Sequence, residues 1–201
     1  MKLSFFFILL ISFTLFSSIN KKNQYNFDKL VIFKNGNQNN AYLFSTLNKN
    51  YYFSFTDENS GNLYENSQIN KRCLRLSFEN KDIILNEDFS EICFNKNITF
   101  RKFDFIEEIE MLNDSVKITS LYALKKKNKK GKVFEIYSDI NEKIYINQNF
   151  LDSYTHGYFR NTDFKSEFQL PFKIIHYHLY TNDIDTINRI KYKEVNTFFN
   201  Y

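Results

Sequence analysis

Two histidines, two cysteines and a run of acids are the side chains whose types and spacing invite a chemical reading of this 201-residue chain. His176 and His178 stand two positions apart, so in an extended segment both imidazoles face one side of a sheet, a permissible pair of metal ligands. A third ligand would have to come from a distant part of the chain, for example His156 or Asp163. Phe172, Ile174 and Tyr180 share that side of the strand, so the pattern equally describes a sheet surface with satisfied imidazoles. The second description is preferred, and neither a metal nor a cofactor is expected.

Asp104, Glu107, Glu108 and Glu110 form the acidic cluster. Paired carboxylates can act as acid and nucleophile on a glycosidic bond, but that needs two different environments. These four are neighbours in sequence and read as a solvated face. GxSxG, HExxH, CxxC and glycine-rich phosphate loops are all missing from the sequence. With four glycines (Gly36, Gly61, Gly131 and Gly157) a phosphate cradle is hard to build. No catalytic residue is assigned, and the chain reads as non-enzymatic.

Cys73 and Cys93 are the only cysteines, and in an oxidising compartment they can form one disulfide. The N-terminus gives the reason to expect such a compartment. Lys2 is followed by the apolar run Phe5 to Phe16, too short to span a bilayer and of the length found in a signal peptide. Small residues follow at Ser17 and Ser18, so residues 1–18 are expected to be a signal peptide and 19–201 one β-rich domain. The expected address is periplasmic, cell-envelope or secreted. Asn97 and Asn113 open glycosylation sequons that matter only in a eukaryotic cell.

Composition narrows the partners. Hydrophobic residues make up 43% and aromatics 19%, too apolar for a disordered chain. The wealth of Asn, Lys, Ile, Phe and Tyr is what AT-rich codons impose, which dilutes its functional meaning. A net charge of +4, with 27 basic and 23 acidic residues, is not that of a nucleic-acid binder. The lysines from Lys125 to Lys132 look like a solvated hairpin tip without aromatic stacking platforms.

The elements that would carry these residues follow a period of two. Ala41–Phe44 and Tyr52–Phe55 read as a strand pair, joined across Asn48, Lys49 and Asn50. Leu74, Leu76 and Phe78 alternate with polar neighbours. Asp82–Leu85, Glu91–Asn95, Ile98–Phe103, Val116–Leu124, Lys132–Tyr137, Lys143–Ile146, Phe172–Tyr180 and Ile187–Val195 are further extended runs. Asp104–Leu112 fits a helix face or a strand. The expected fold is mainly β, an antiparallel meander forming an open or half barrel or a sandwich, with at most one or two short helices.

The order of segments from Lys132 to Asn196, with Leu170-Pro171-Phe172-Lys173-Ile174-Ile175 before a closing strand Ile190–Asn196, resembles small exported bacterial proteins of the lipoprotein-carrier (LolA-like) and GLPGLI types. That resemblance implies a curved antiparallel sheet with an apolar face and no catalysis; it transfers no site residue. The leading expectation is an exported, non-enzymatic binding or carrier-like protein for a lipid or other apolar ligand. A secreted surface protein of a eukaryotic parasite with an AT-rich genome is the alternative, and a hydrolase using His176, His178 or the acids ranks below both.

Overall fold

A computed structural model describes residues 24–66, 71–79, 82–90, 104–125, 129–155, 164–179, 181 and 183–200. Within them the alternating side chains build β1 (Gln24–Asn35), β2 (Gln38–Phe44), β3 (Tyr51–Phe55), β4 (Ser60–Asn66), β5 (Lys71–Glu79) and β6 (Asp82–Asp88). Next come β7 (Asp104–Met111), β8 (Val116–Lys125), β9 (Lys129–Asp139), β10 (Tyr145–Asn147) and the helix α1 (Gln148–Thr155). The last elements are β11 (Glu167–Gln169), β12 (Pro171–Tyr177) and β13 (Ile184–Asn200).

Eleven strands form one antiparallel sheet in the order β6-β5-β4-β3-β2-β1-β13-β12-β9-β8-β7, and β10 pairs with β11 in a separate ribbon. The order is a meander from β1 to β6 and a second one from β7 to β9, joined because the 17-residue β13 pairs with β1 on one side and β12 on the other. The sheet does not close into a barrel: β6 and β7 are its edges. Both edge strands of the described sheet are acidic, with Glu87 and Asp88 on one and Asp104, Glu107, Glu108 and Glu110 on the other. Such charges discourage pairing with another chain.

Two apolar clusters lie on opposite faces. On one face Phe150, Leu151 and Tyr154 of α1 pack against Val31, Phe33, Tyr42, Phe44, Phe134 and Ile136 of the sheet, helped by Ile146 and Phe168 of the small ribbon. Phe150 sits within 5.0 Å of the Tyr42 ring centre and 5.6 Å of Phe33. On the other face Leu43, Phe53, Leu63, Leu74 and Leu76 are covered by Tyr25, Phe27 and Phe199. Alternation assigns the faces: Tyr42 and Phe44 point one way while Leu43 points the other, as do Tyr52 and Phe53.

The cover on the second face is an arm made from the two chain-distal strand ends. Gln24–Phe27 pairs with Thr197–Asn200 beyond the end of β2, whose pairing with β1 begins at Lys29. A register shift between Phe27 and Lys29 leaves Asp28 out of the ladder, and such a bulge bends a strand. The Asp28 carboxylate there accepts the Thr46 backbone N–H at 2.8 Å. The arm then seats Phe199 5.0 Å from the Phe53 ring and Tyr25 5.0 Å from Tyr51. Its polar groups are satisfied in place: Tyr25 donates to the buried Glu65 at 2.6 Å, and the Tyr51 hydroxyl exchanges hydrogen bonds with the Asn26 backbone at 3.0 and 3.1 Å.

Two glycines have structural reasons. Gly36, at φ 57°, opens the two-residue turn between Asn35 and Gln38 in the left-handed region that suits a tight hairpin. At Gly61 the Phe53 ring and the Ser54 carbonyl occupy the space a Cβ would need.

The open antiparallel sheet is the expected fold class. Most of the segment Asp104–Leu112 resolves as the strand β7, Asp104–Met111, with Phe105, Glu107, Ile109 and Met111 on one side and Asp104, Ile106, Glu108 and Glu110 on the other. The last strand, β13, is longer than the apolar run Ile187–Val195 suggested, whereas β12 ends at Tyr177, short of Tyr180, and β10 starts two residues after Lys143. Pro171 opens β12, where a missing N–H is tolerated. Glu91–Asn95 and Ile98–Phe103 lie outside the described residues, as do the expected signal peptide and Asn97.

Candidate functional site

The two faces differ in how completely they are filled. Beyond the arm, the second cluster opens into a cleft of about 420 Å³ lined by Leu30, Phe55, Phe78, Ile83, Val195 and Thr197 among others. Phe198, 57% exposed, stands at its border. Every side chain just named is apolar except Thr197, and the size falls within the ordinary range of small-molecule pockets. It arises because Leu30, Phe55, Phe78, Ile83 and Val195 are only partly buried around a closed centre of Phe53, Leu63 and Leu76.

On the opposite face of the sheet, at the β12–β13 hairpin, lies the histidine pair. In the β12–β13 hairpin His176 pairs directly across from Asp185, and the His178 backbone N–H donates to the Asp183 carbonyl at 3.0 Å. That register puts His176, His178 and Asp185 on one face. His178 Nε2 lies 2.8 Å and His176 Nδ1 3.9 Å from the same Asp185 oxygen, and one ligand atom from each residue falls within 4.8 Å of the others. The His176 ring is 2% exposed and stacks on Phe134 at 4.8 Å, while the side chains of His178 and Asp185 are 33% and 42% exposed. A pocket of about 230 Å³, lined by Lys132, Tyr177, His178, Leu179 and Asp183 among others, adjoins the cluster.

The sequence spacing thus located the two imidazoles on one side, as expected of an extended strand, but not their third partner. His156 and Asp163 lie outside the described residues. Asp185 was missed because hairpin register, not spacing, brings it across from His176; the polar stretch between Tyr180 and Ile184 was the available sign of a turn there. Ile174 is buried beside the pair, as the apolar reading of that face required.

On the reverse side of the same strands, Glu135 accepts from Lys132 Nζ at 2.5 Å, Tyr177 at 3.0 Å and Tyr137 at 3.2 Å. Burial pushes the Glu135 carboxyl up, but the Lys132 hydrogen bond, with those of the two tyrosines, outweighs it and holds the group below the usual carboxylate range. Burial and the neighbouring Glu135 push both tyrosines up.

The acidic cluster is dispersed among other partners. Glu108 pairs with Lys130 at 2.6 Å, and Glu107 accepts from the Ser166 hydroxyl. β8 and β9 separate β7 from the histidine strand, so acids and imidazoles do not meet in one site. Lys130 and Lys132 of the basic tip are both ion-paired, the latter to the partly buried Glu135, while residues 126–128 lie outside the described residues. Cys73 is fully buried on β5, and Cys93 lies outside the described residues.

No family model matches the chain, and no curated protein matches it. Among solved structures, that of a DUF1329 family protein from Desulfovibrio piger is similar over 90% of this chain and 89% of its own, at 8% identity and a TM-score of 0.26. A likeness of that strength carries no argument about fold or activity.

Proposed function

We propose that this protein is an exported, non-catalytic binding module that holds an apolar chain in the cleft beside the arm. The cleft carries the reading: among the described residues it is an uncovered extension of a buried apolar core, lined by Leu30, Phe55, Phe78, Ile83 and Val195. Among the described residues, the helix-bearing face is covered by Phe150 and Leu151 of α1. The occupant of choice is a single acyl-type chain. Each methylene it buries gains about 0.8 kcal/mol, so roughly eight to ten of them give about 6–8 kcal/mol, and ordering costs leave the affinity weaker than micromolar. The open eleven-stranded antiparallel sheet supports the resemblance to carrier families at the level of architecture.

Displacement of a fluorescent fatty acid from the purified chain tests this reading. Thr197→Trp places a large ring in the cleft and should weaken binding about tenfold or more with little effect on stability. A chain that binds no acyl probe, or a variant that binds it as well as the unaltered protein, rejects the proposal.

Export enters on the N-terminal sequence alone, through Lys2 and the Phe5–Phe16 run. Mass measurement of protein secreted by its own cell should show loss of about the first eighteen residues. The same compartment would allow a Cys73–Cys93 bond. Reduction should then destabilise the fold by about 3 kcal/mol, read from urea unfolding with and without reductant.

A further inference from the structure

We propose that His176, His178 and Asp185 form a binding site for one divalent transition-metal ion of the zinc type. The donor set is two imidazole nitrogens and one carboxylate oxygen, which suits Zn²⁺ and its neighbours rather than Mg²⁺ or Ca²⁺. The site is independent of the cleft: it stands on β12 and β13 near their hairpin, on the face that α1 covers, whereas the cleft is on the other face.

The scaffold sets the ligands before any ion arrives. His176 and Asp185 are a direct cross-strand pair, and His178 follows on the same side two residues along. Around a tetrahedral ion with bonds of about 2.0–2.1 Å, ligand atoms stand about 3.3 Å apart. The observed 2.8 and 3.9 Å from Asp185 to the two histidines bracket that value. The widest separation, 4.8 Å, closes through rotation of the half-exposed His178 and Asp185 side chains. His176 is the fixed member, clamped against Phe134 and only 4.2 Å from the His178 ring centre.

Burial divides the labour among the three. The inner histidine is shielded, while the outer histidine and the carboxylate face solvent, so water can complete the coordination shell. Three protein ligands plus an accessible position is the arrangement of an exchangeable site rather than a closed structural one. Asp185 also supplies negative charge that an imidazole pair alone lacks.

Titration of the metal-free purified chain with Co²⁺, followed by displacement with Zn²⁺, tests the assignment. One equivalent of Co²⁺ should give the intense visible absorption of a four- or five-coordinate ion, and Zn²⁺ should abolish it. His178→Ala and Asp185→Asn, both at partly exposed positions that tolerate substitution, should each weaken Zn²⁺ binding about a hundredfold or more. Asp183→Asn, next to the site but outside it, should leave affinity unchanged and serves as the folded control. Absence of stoichiometric binding overturns the proposal. So does undiminished affinity in both ligand variants, which would place the ion elsewhere. A loss of stability in Asp185→Asn with no metal bound to the unaltered chain would leave the cluster a structural hydrogen bond and would also overturn it.

Discussion

The two faces of the large sheet use the same aromatic vocabulary to opposite ends. On the α1 face, the helix and the β10–β11 ribbon press Phe150, Leu151, Ile146 and Phe168 onto the sheet until these side chains are almost wholly shielded. On the other face the cover among the described residues is the bent arm of β1 and β13, two strands wide, which shields Phe53 and Leu63 while Phe55, Phe78 and Ile83 are partly buried. A helix is a broad lid and a strand pair is a narrow one. The comparison teaches that the cleft results from the width of its cover, not from a special set of lining residues.

If that contrast is right, removing volume should cost most where the lid is complete. Phe150 touches Phe33, Tyr42, Phe44, Tyr52 and Tyr154 at ring distances of 5.0–5.7 Å. Phe150→Ala should destabilise the fold by about 3–5 kcal/mol, measured as a shift in urea midpoint at constant slope. A loss under about 1 kcal/mol would mean the helix is a loose appendage, and the difference between the faces would disappear.

Gly61 sharpens the comparison from the second face. Its missing side chain lets the Phe53 ring lie across β4 and meet Phe199 of the arm. Gly61→Ala forces that ring or the strand to shift, at about 2 kcal/mol, and should loosen the arm as well. Hydrogen exchange at Tyr25 and Phe199 should accelerate more than at Phe134. Equal acceleration on both faces would show that the arm has no separate stability.

Phe78 probes the open end itself. Its ring lies 5.6 Å from Phe53 and 5.4 Å from Phe199, but it is only partly covered. Phe78→Ala should therefore cost about 1–2 kcal/mol, less than the loss at Phe150, while abolishing most acyl-probe binding. A stability loss as large as at Phe150 would mean the cleft is closed in solution.

Much of the architecture was legible because strand alternation is local. The pairs Tyr42 with Phe44 and Leu74 with Leu76 announce their faces without reference to anything distant. What the chain order hides is long-range pairing. β1 was not anticipated, since Leu30 to Phe33 is an unbroken apolar run; only Tyr25 and Phe27 alternate, and their meaning depends on β13 at the far end of the chain. The helix α1 was not located either, because its eight residues offer barely two turns of pattern. The candidate sites divide in the same way. The spacing of His176 and His178 is visible in sequence, but Asp185 joins them through register. The cleft assembles residues from β1, β2, β3, β5, β6 and β13, which no local pattern could collect.

The smallest effect concerns the polar half of the second face, where Glu135 replaces apolar packing with a hydrogen-bonded charge. Its carboxyl titrates below the ordinary 4.5, so its stabilising contribution is complete above that pH and is lost as pH falls through the lowered value. Lys132 is the reverse case: the Glu135 hydrogen bond, against burial, raises its amine above 10.5, so its contribution holds below that pH and fades as the amine deprotonates. Glu135→Gln should lower stability by about 1 kcal/mol at neutral pH and make the decline from about pH 7 to about pH 3 shallower than in the unaltered protein. Urea unfolding across that range measures both. Since Lys132, Tyr137 and Tyr177 lie away from the cleft, acyl-probe affinity should stay constant in this variant. A coupled loss of affinity would tie the polar and apolar halves of the face into one unit, where the geometry keeps them separate.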